Sequence, residues 1–205
     1  MILYKTVAKE AHVEQEIRRS RFIAHIAPVA DRTEAEAYLA AVKRQYKDAT
    51  HNVPAMILGP GQEIQWASDD GEPQGTSGAP ILQMLAKHEL TNVIAVVTRY
   101  FGGTKLGTGG LIRAYTGSAA LALEAAGMHA VRSLYYVRVA LEYSCLGRLE
   151  NLSKKGVFEM GEIEYTDKVI CSLHCDEEEQ DRLKTLLADL AGGREKIISE
   201  EIKTA

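Results

Sequence analysis

The amino-acid sequence predicts an α+β chain built from two domains, and three observations carry that prediction. Residues 92–100, NVIAVVTRY, hold a run from Val93 to Val97 without a polar member, the pattern of a strand buried on both faces. The segment that follows, TRYFGGTKLGTGGLIRAY over 98–115, places Gly102, Gly103, Gly107, Gly109 and Gly110 between that strand and a helix. From Ser133 onward the elements alternate β-α-β-β-α-β, the ferredoxin-like split motif. No Pro- or Ser-rich linker separates the halves, so the domains are set at 1–132 and 133–205, joined closely around 128–133.

The elements follow in order. Tyr4 to Val29 reads as two extended segments around a turn; in RFIAHIAPV, Phe22, Ala24 and Ile26 alternate with Ile23, His25 and Ala27 until Pro28. Asp31 or Thr33 can cap a helix over 33–47, whose buried face would use Ala37, Leu39, Ala40 and Val42. VPAMILG (53–59) and EIQWAS (63–68) form a hairpin turned at Pro60-Gly61. SDDGEPQGTSGAP (68–80) is a loop, and Pro80 opens a short helix, ILQMLAKHE. After the glycine stretch a helix runs from about Leu111 to Ala126 and closes on Gly127. In the second domain LYYVRVALEY (134–143) is a strand and CLGRLENLSKK (145–155) a helix ended by Gly156. Strands 157–166 and 168–175 are joined at Asp167. A helix over 176–193 carries acids in its first turn and closes on Gly192-Gly193, and 194–203 is the last strand.

Composition bounds the function. The chain has 205 residues, 46% hydrophobic and 25% charged, which is enough to bury a core. MILYKTVAKE lacks the apolar core of a secretory signal, and no apolar run approaches the ~18 residues of a membrane span. Cys145, Cys171 and Cys175 are few and odd in number, which suits a reducing compartment, so a cytoplasmic protein is expected. Residues 1–132 carry 14 Lys+Arg against 13 Asp+Glu, net +1, and 133–205 carry 10 against 15, net −5. A polyanion would therefore meet the first domain more easily.

A strand, a glycine loop and a helix start make an anion site, because glycine lets the backbone approach closely and free amides point outward at the helix start. Thr108 can cap that helix. Arg113 lies in its first turn, where the helix dipole disfavours a cation unless an anion intervenes. Lys105 in the loop and Arg99 at the strand end could converge on the same spot, with Thr104 between the glycines. Named phosphate motifs do not fit. Thr108-Gly109 stands where a P-loop needs Lys-Ser/Thr, and Ile112 stands where a dinucleotide fingerprint needs its third glycine. The plain alternative is a tight turn that seats a small-faced helix on the sheet.

The loop 68–80 places Asp69, Asp70 and Glu72 within four residues, with Thr76 following. Such acids can hold a divalent cation or act as a general base, but acids in a turn are more commonly solvated turn formers, and no metal site is assigned. Cys171, His174 and Cys175 read as strand packing rather than a metal site, and His51 as a locally bonded strand-start histidine. Ser68, Thr76 and Ser77 would be nucleophiles only beside a base.

Four segments, SRFIAHI (20–26), THNVPAMILG (50–59), SDDGEPQGTSGAPIL (68–82) and VVTRYFGGTKLGTGGLIRAY (96–115), resemble the IMPACT family in its bacterial, YigZ-type two-domain form. The resemblance covers essentially the whole chain. Val53 stands where many members have cysteine, so no thiol role is carried over there. The resemblance implies a first domain like the second domain of ribosomal protein S-five, a two-layer α/β arrangement. It also implies a second domain similar to the last domain of elongation factor G. Eukaryotic members damp the amino-acid-starvation kinase of translation initiation by competing for its activator, and carry a different domain beside the shared one, so that activity is not transferred whole. The expectation is therefore a translation-associated regulatory or binding protein that needs no cofactor. It would contact RNA, ribosome or a translation factor through Arg99, Gly102, Gly103, Thr104, Lys105, Gly107, Thr108, Gly109, Gly110 and Arg113. The alternatives are an enzyme on a small phosphorylated or anionic substrate, using Asp69, Asp70 or Glu72, and a plain protein-interaction module. The sequence specifies no oligomeric state and is compatible with a monomer.

Overall fold

The computed structural model describes residues 2–205 and divides into two compact units, Tyr4–Ala130 and Val131–Ala205, with the start of the first strand counted in the second unit. In chain order the elements are β1 (Ile2–Val7), β2 (Ala11–Ile17), β3 (Ser20–Pro28), α1 (Arg32–Gln45), β4 (His51–Leu58), β5 (Ile64–Ala67), α2 (Gly78–Lys87), β6 (Val93–Tyr100) and α3 (Thr108–Ala126). Then come β7 (Met128–Leu141), α4 (Tyr143–Ser153), β8 (Glu159–Tyr165), β9 (Val169–Asp176), a 3₁₀ turn (Glu177–Glu179), α5 (Gln180–Ala191) and β10 (Lys196–Thr204).

The first unit is a sheet of order β2-β3-β6-β4-β5 in which every neighbouring pair is antiparallel. Side chains alternate across it, so β6 sends Val93, Ala95 and Val97 to one core with α2 and α3, and Ile94 and Val96 to another beneath α1. This is why the run Val93–Val97 carries no polar residue. Three strands occupy Ile2–Pro28 where two were expected. Residues 8–10 break the first extended stretch, and Arg18-Arg19 turns the second without a glycine, proline or asparagine to mark it. Of the two caps offered for the helix expected over 33–47, Asp31 is the one used: it accepts from the Glu34 amide at 2.9 Å, and α1 starts at Arg32 and ends at Gln45. The hairpin at Pro60-Gly61 closes β4 on β5, with Leu58 opposite Ile64.

The second unit follows the expected β-α-β-β-α-β order, and its five-stranded sheet has the order β1-β7-β9-β8 with β10 also paired to β7; the β10-β7, β7-β9 and β9-β8 pairs are antiparallel. The inward residues of β7 and β9, among them Val137, Val139, Cys171 and Leu173, pack with Leu149 of α4 and Leu183 and Leu187 of α5. β7 starts at Met128 rather than 134, so the segment between the domains is itself strand.

Candidate functional site

Strand parity builds the inner part of the site. Arg99 shares the face of Val93, Ala95 and Val97, and its register partners are Phe22 on β3 and His51 on β4. The guanidinium therefore enters the covered side of the sheet and is 4% exposed. Its Nη1 donates to Glu72 Oε1 at 2.6 Å and its Nη2 to Ser20 Oγ at 3.2 Å, while Nε is buried without a partner. The rings of Phe22 and Phe101 each lie 5.4 Å from it. Glu72 Oε1 also accepts from the Tyr115 hydroxyl of α3 at 2.6 Å. Burial, then the bond to Glu72, pushes the Tyr115 phenol well above its ordinary range, so it stays a neutral donor. His51 Nδ1 donates to the Asp70 carbonyl at 2.8 Å, which leaves Nε2 facing Glu72 at 3.7 Å.

Glu72 thus joins three distant parts of the chain, and the other members of its loop are similarly engaged. Asp69 accepts from Gly75 N, Ser77 N, Ser77 Oγ and Gly78 N, which ties the loop to the start of α2. Burial raises the Asp69 carboxyl, and those donors outweigh it, so the acid sits below its usual range. Asp70 takes Lys43 Nζ at 2.8 Å and the Asn52 amide at 2.7 Å. The Thr76 hydroxyl donates to the Pro73 carbonyl at 2.7 Å. Among the described residues, no group of three His, Cys, Asp or Glu side chains is placed to hold a metal ion.

The outer part is made by the glycine loop. Gly107, at φ 71°, precedes α3, and no side chain caps the helix; Thr108 is its first residue rather than its cap. Leu111 N makes the first helical bond, to Gly107 O, so the amides of Thr108, Gly109 and Gly110 have no acceptor among the described residues. The Arg113 side chain lies beside Gly109; Arg113, Lys105 and Gly103 are exposed, and Thr104 is half-buried. A Cβ on Gly102 would fall 1.8 Å from the Arg19 carbonyl oxygen, so only glycine lets the loop press against the β2–β3 turn. Arg18 of that turn and Arg113 face a common cavity of about 260 Å³, floored by Ile17, Leu106 and Ala114. Among the described residues Arg18, Arg19, Lys105 and Arg113 form no ion pair.

The structure brings Gly110 and Arg113 to one cavity with Arg18, sets Gly109 beside the Arg113 side chain and Gly102 on the Arg19 backbone, leaves Gly103, Lys105, Gly107 and Thr108 exposed and Thr104 half-buried in the same loop, and places Arg99 inside, on Glu72. Sequence reasoning passed over Ser20, Tyr115, Phe101, Arg18 and Arg19. Arg99 could have been assigned inward from its parity with Val97, and the adjacent arginines from their place between two extended runs.

This surface lies within a segment of known kind. Residues 18–123 match the Impact N-terminal domain, and residues 139–194 match a domain of unknown function, DUF1949. The chain belongs to the IMPACT family. It is 38% identical to the IMPACT family member YvyE of Bacillus subtilis over 199 residues, which is 97% of this chain and 92% of that one. It is 42% identical to the IMPACT family member YigZ of Escherichia coli over 113 residues, covering 54% of this chain and 55% of YigZ. A crystal structure described only as that of a hypothetical protein is 30% identical, with 96% of each chain covered and a TM-score of 0.58.

The second unit of this family member offers less. A cavity of about 550 Å³ there is lined by Arg132, His174 and Arg182, each already facing a carboxylate. Its three cysteines are buried and unbridged, and burial, aided by Glu179 and Asp176, pushes the Cys175 thiol up to about 11. No helix among the described residues is long and apolar enough to cross a membrane.

Proposed function

We propose that this IMPACT-family chain is a cytoplasmic, translation-associated regulatory protein that contacts RNA through the surface around its glycine-rich loop. The observation that carries the reading is that Arg18 and Arg113, which form no ion pair among the described residues, share a cavity with Gly110 at the start of α3, where the amides of Thr108, Gly109 and Gly110 meet no acceptor among those residues, with Arg19 in the same turn and Lys105 in the same loop. Cations left without carboxylates are disposed to meet phosphates, and amides at a helix start add donors and positive potential to the same place. Family membership supplies the translational context. Asp69, Asp70 and Glu72 are committed to internal donors, which favours contact over acid–base chemistry at this surface.

The test is fluorescence anisotropy of labelled RNA across a salt series, with Lys105→Ala/Arg113→Ala beside the native chain. Binding should weaken with salt. The variant should bind more weakly, and on a single strand its salt slope should be shallower by roughly 0.7 for each phosphate it no longer holds. Equal affinity and slope in the variant would count against the surface. Absence of RNA binding at low salt would move the reading to a protein of the translation machinery.

A further inference from the structure

The β2–β3 turn uses residues that its geometry does not favour. Ile17 and Ser20 are register partners, so Arg18 and Arg19 alone make the hairpin loop, and both hold positive φ, 47° and 68°. A two-residue turn with positive φ at both positions selects Asn-Gly, because a long side chain there is sterically disfavoured. Two exposed, unpaired arginines at such a site indicate a demand for charge rather than for folding. The contact between Gly102 and the Arg19 backbone fixes this turn against the glycine loop.

Phe101 is the second unexplained feature. Its ring is 47% exposed at the head of the loop, yet it is held firmly. Its amide donates to Thr50 Oγ1 at 2.9 Å, and its ring rests on the Arg99 guanidinium, itself held by Glu72 and Ser20. The buried ion pair thus supports an exposed apolar ring, and the next residue, Gly102, lies against the backbone of the Arg18-Arg19 turn. Single-stranded nucleic acid has both matching parts, a charged backbone and free base faces, whereas a duplex hides its base faces within the stack.

We infer that the Arg18-Arg19 turn and Phe101 complete the loop as a site for single-stranded RNA, with an unstacked base on the Phe101 ring and phosphates on Arg18, Arg19, Lys105 and Arg113. The inference rests on the reading of this surface as an RNA contact, and narrows it to a strand that is not paired.

The experiment measures anisotropy of a fluorescein-labelled oligouridylate and of a labelled RNA duplex, at several salt concentrations, with melting temperatures alongside. Arg18→Asn/Arg19→Gly installs the turn's favoured pair. It should melt no lower than the native chain, bind the oligouridylate more weakly, and show a slope shallower by roughly 1.4, the equivalent of two phosphates. Phe101→Ala should weaken oligouridylate binding on the order of tenfold with an unchanged slope, and leave duplex binding as it was. Phe101→Trp keeps a ring and should restore the affinity. An Ala variant that binds like the native chain, a Trp variant that fails to restore binding, or a turn variant with the native slope overturns the inference. If those results occur while Lys105→Ala/Arg113→Ala still weakens binding, RNA contact stands and only its single-stranded form falls. If that double variant is also silent, both fall.

Discussion

Replacing Glu72 by alanine should destabilise the first unit severely, and the structure gives the size. The Glu72 side chain is 4% exposed and that of Arg99 is 5% exposed. Removing the carboxylate leaves Arg99 with a single donated bond, to Ser20, and a second unpartnered nitrogen beside Nε. Breaking a buried pair from one side costs about 3–5 kcal/mol. The Tyr115 hydroxyl loses its acceptor as well, a loss of about 1–3 kcal/mol that overlaps with the first. A total near 4 kcal/mol is expected within the ~3–5 range. Glu72→Leu/Arg99→Met removes both charges and should recover the part of the loss that comes from the unpaired guanidinium, leaving about 1–3 kcal/mol from the Tyr115 hydroxyl. Urea unfolding followed by Trp66 fluorescence reports this directly, since Trp66 is the sole tryptophan and lies on β5 of the first unit. An alanine variant within about 1 kcal/mol of native, or a double variant no better than the single, would refute charge compensation as the reason for the pair.

Three further outcomes are expected. His25 is buried, its Nε2 has no partner, and burial followed by the charge of His12 lowers its pKa to about 4. The folded state therefore binds fewer protons than the unfolded one between about 4 and the ordinary 6.5, so this stability is complete above 6.5 and falls as pH drops towards 4, by about 3 kcal/mol. His12 and Tyr46 face His25, and the difference in urea stability between the native chain and His25→Phe isolates the His25 contribution. Gly102→Ala should lower the melting temperature more than Gly103→Ala, because the first meets the Arg19 carbonyl while the second meets nothing and suffers only its φ of 83°; the expected costs are about 1–3 and about 1 kcal/mol. Asp69→Ala removes the acceptor of four donors, Gly75 N in the loop and Ser77 N, Ser77 Oγ and Gly78 N at the start of α2, and should cost about 2 kcal/mol in urea unfolding, with Asp69→Asn in between.

Strand periodicity made much of the fold legible. The apolar run of β6 announced a strand covered on both faces, and the alternating elements after Ser133 announced the second unit. A turn between extended segments was legible in Tyr4 to Val29, but its position at Arg18-Arg19 was marked only by its place between two runs, because arginine is a poor marker of positive φ. In the site, the glycine loop stood out through composition alone. The link between Glu72 and Tyr115 did not, since 43 residues separate them and only tertiary packing joins them. Arg99 looked like part of an exposed basic loop because it adjoins one in sequence. Its parity on a doubly covered strand was the stronger signal, and a buried cation of that kind requires a carboxylate, which Glu72 provides.

The most direct test of the central claim is a set of ¹⁵N–¹H spectra of the isotopically labelled chain titrated with oligouridylate. The account predicts that the amides of Arg18, Arg19, Phe101, Gly102, Gly103, Gly107, Gly109 and Gly110 shift together and saturably, and that added salt reverses the shifts. Shifts confined to α1 or to the second unit, or no shifts at low salt, would contradict it.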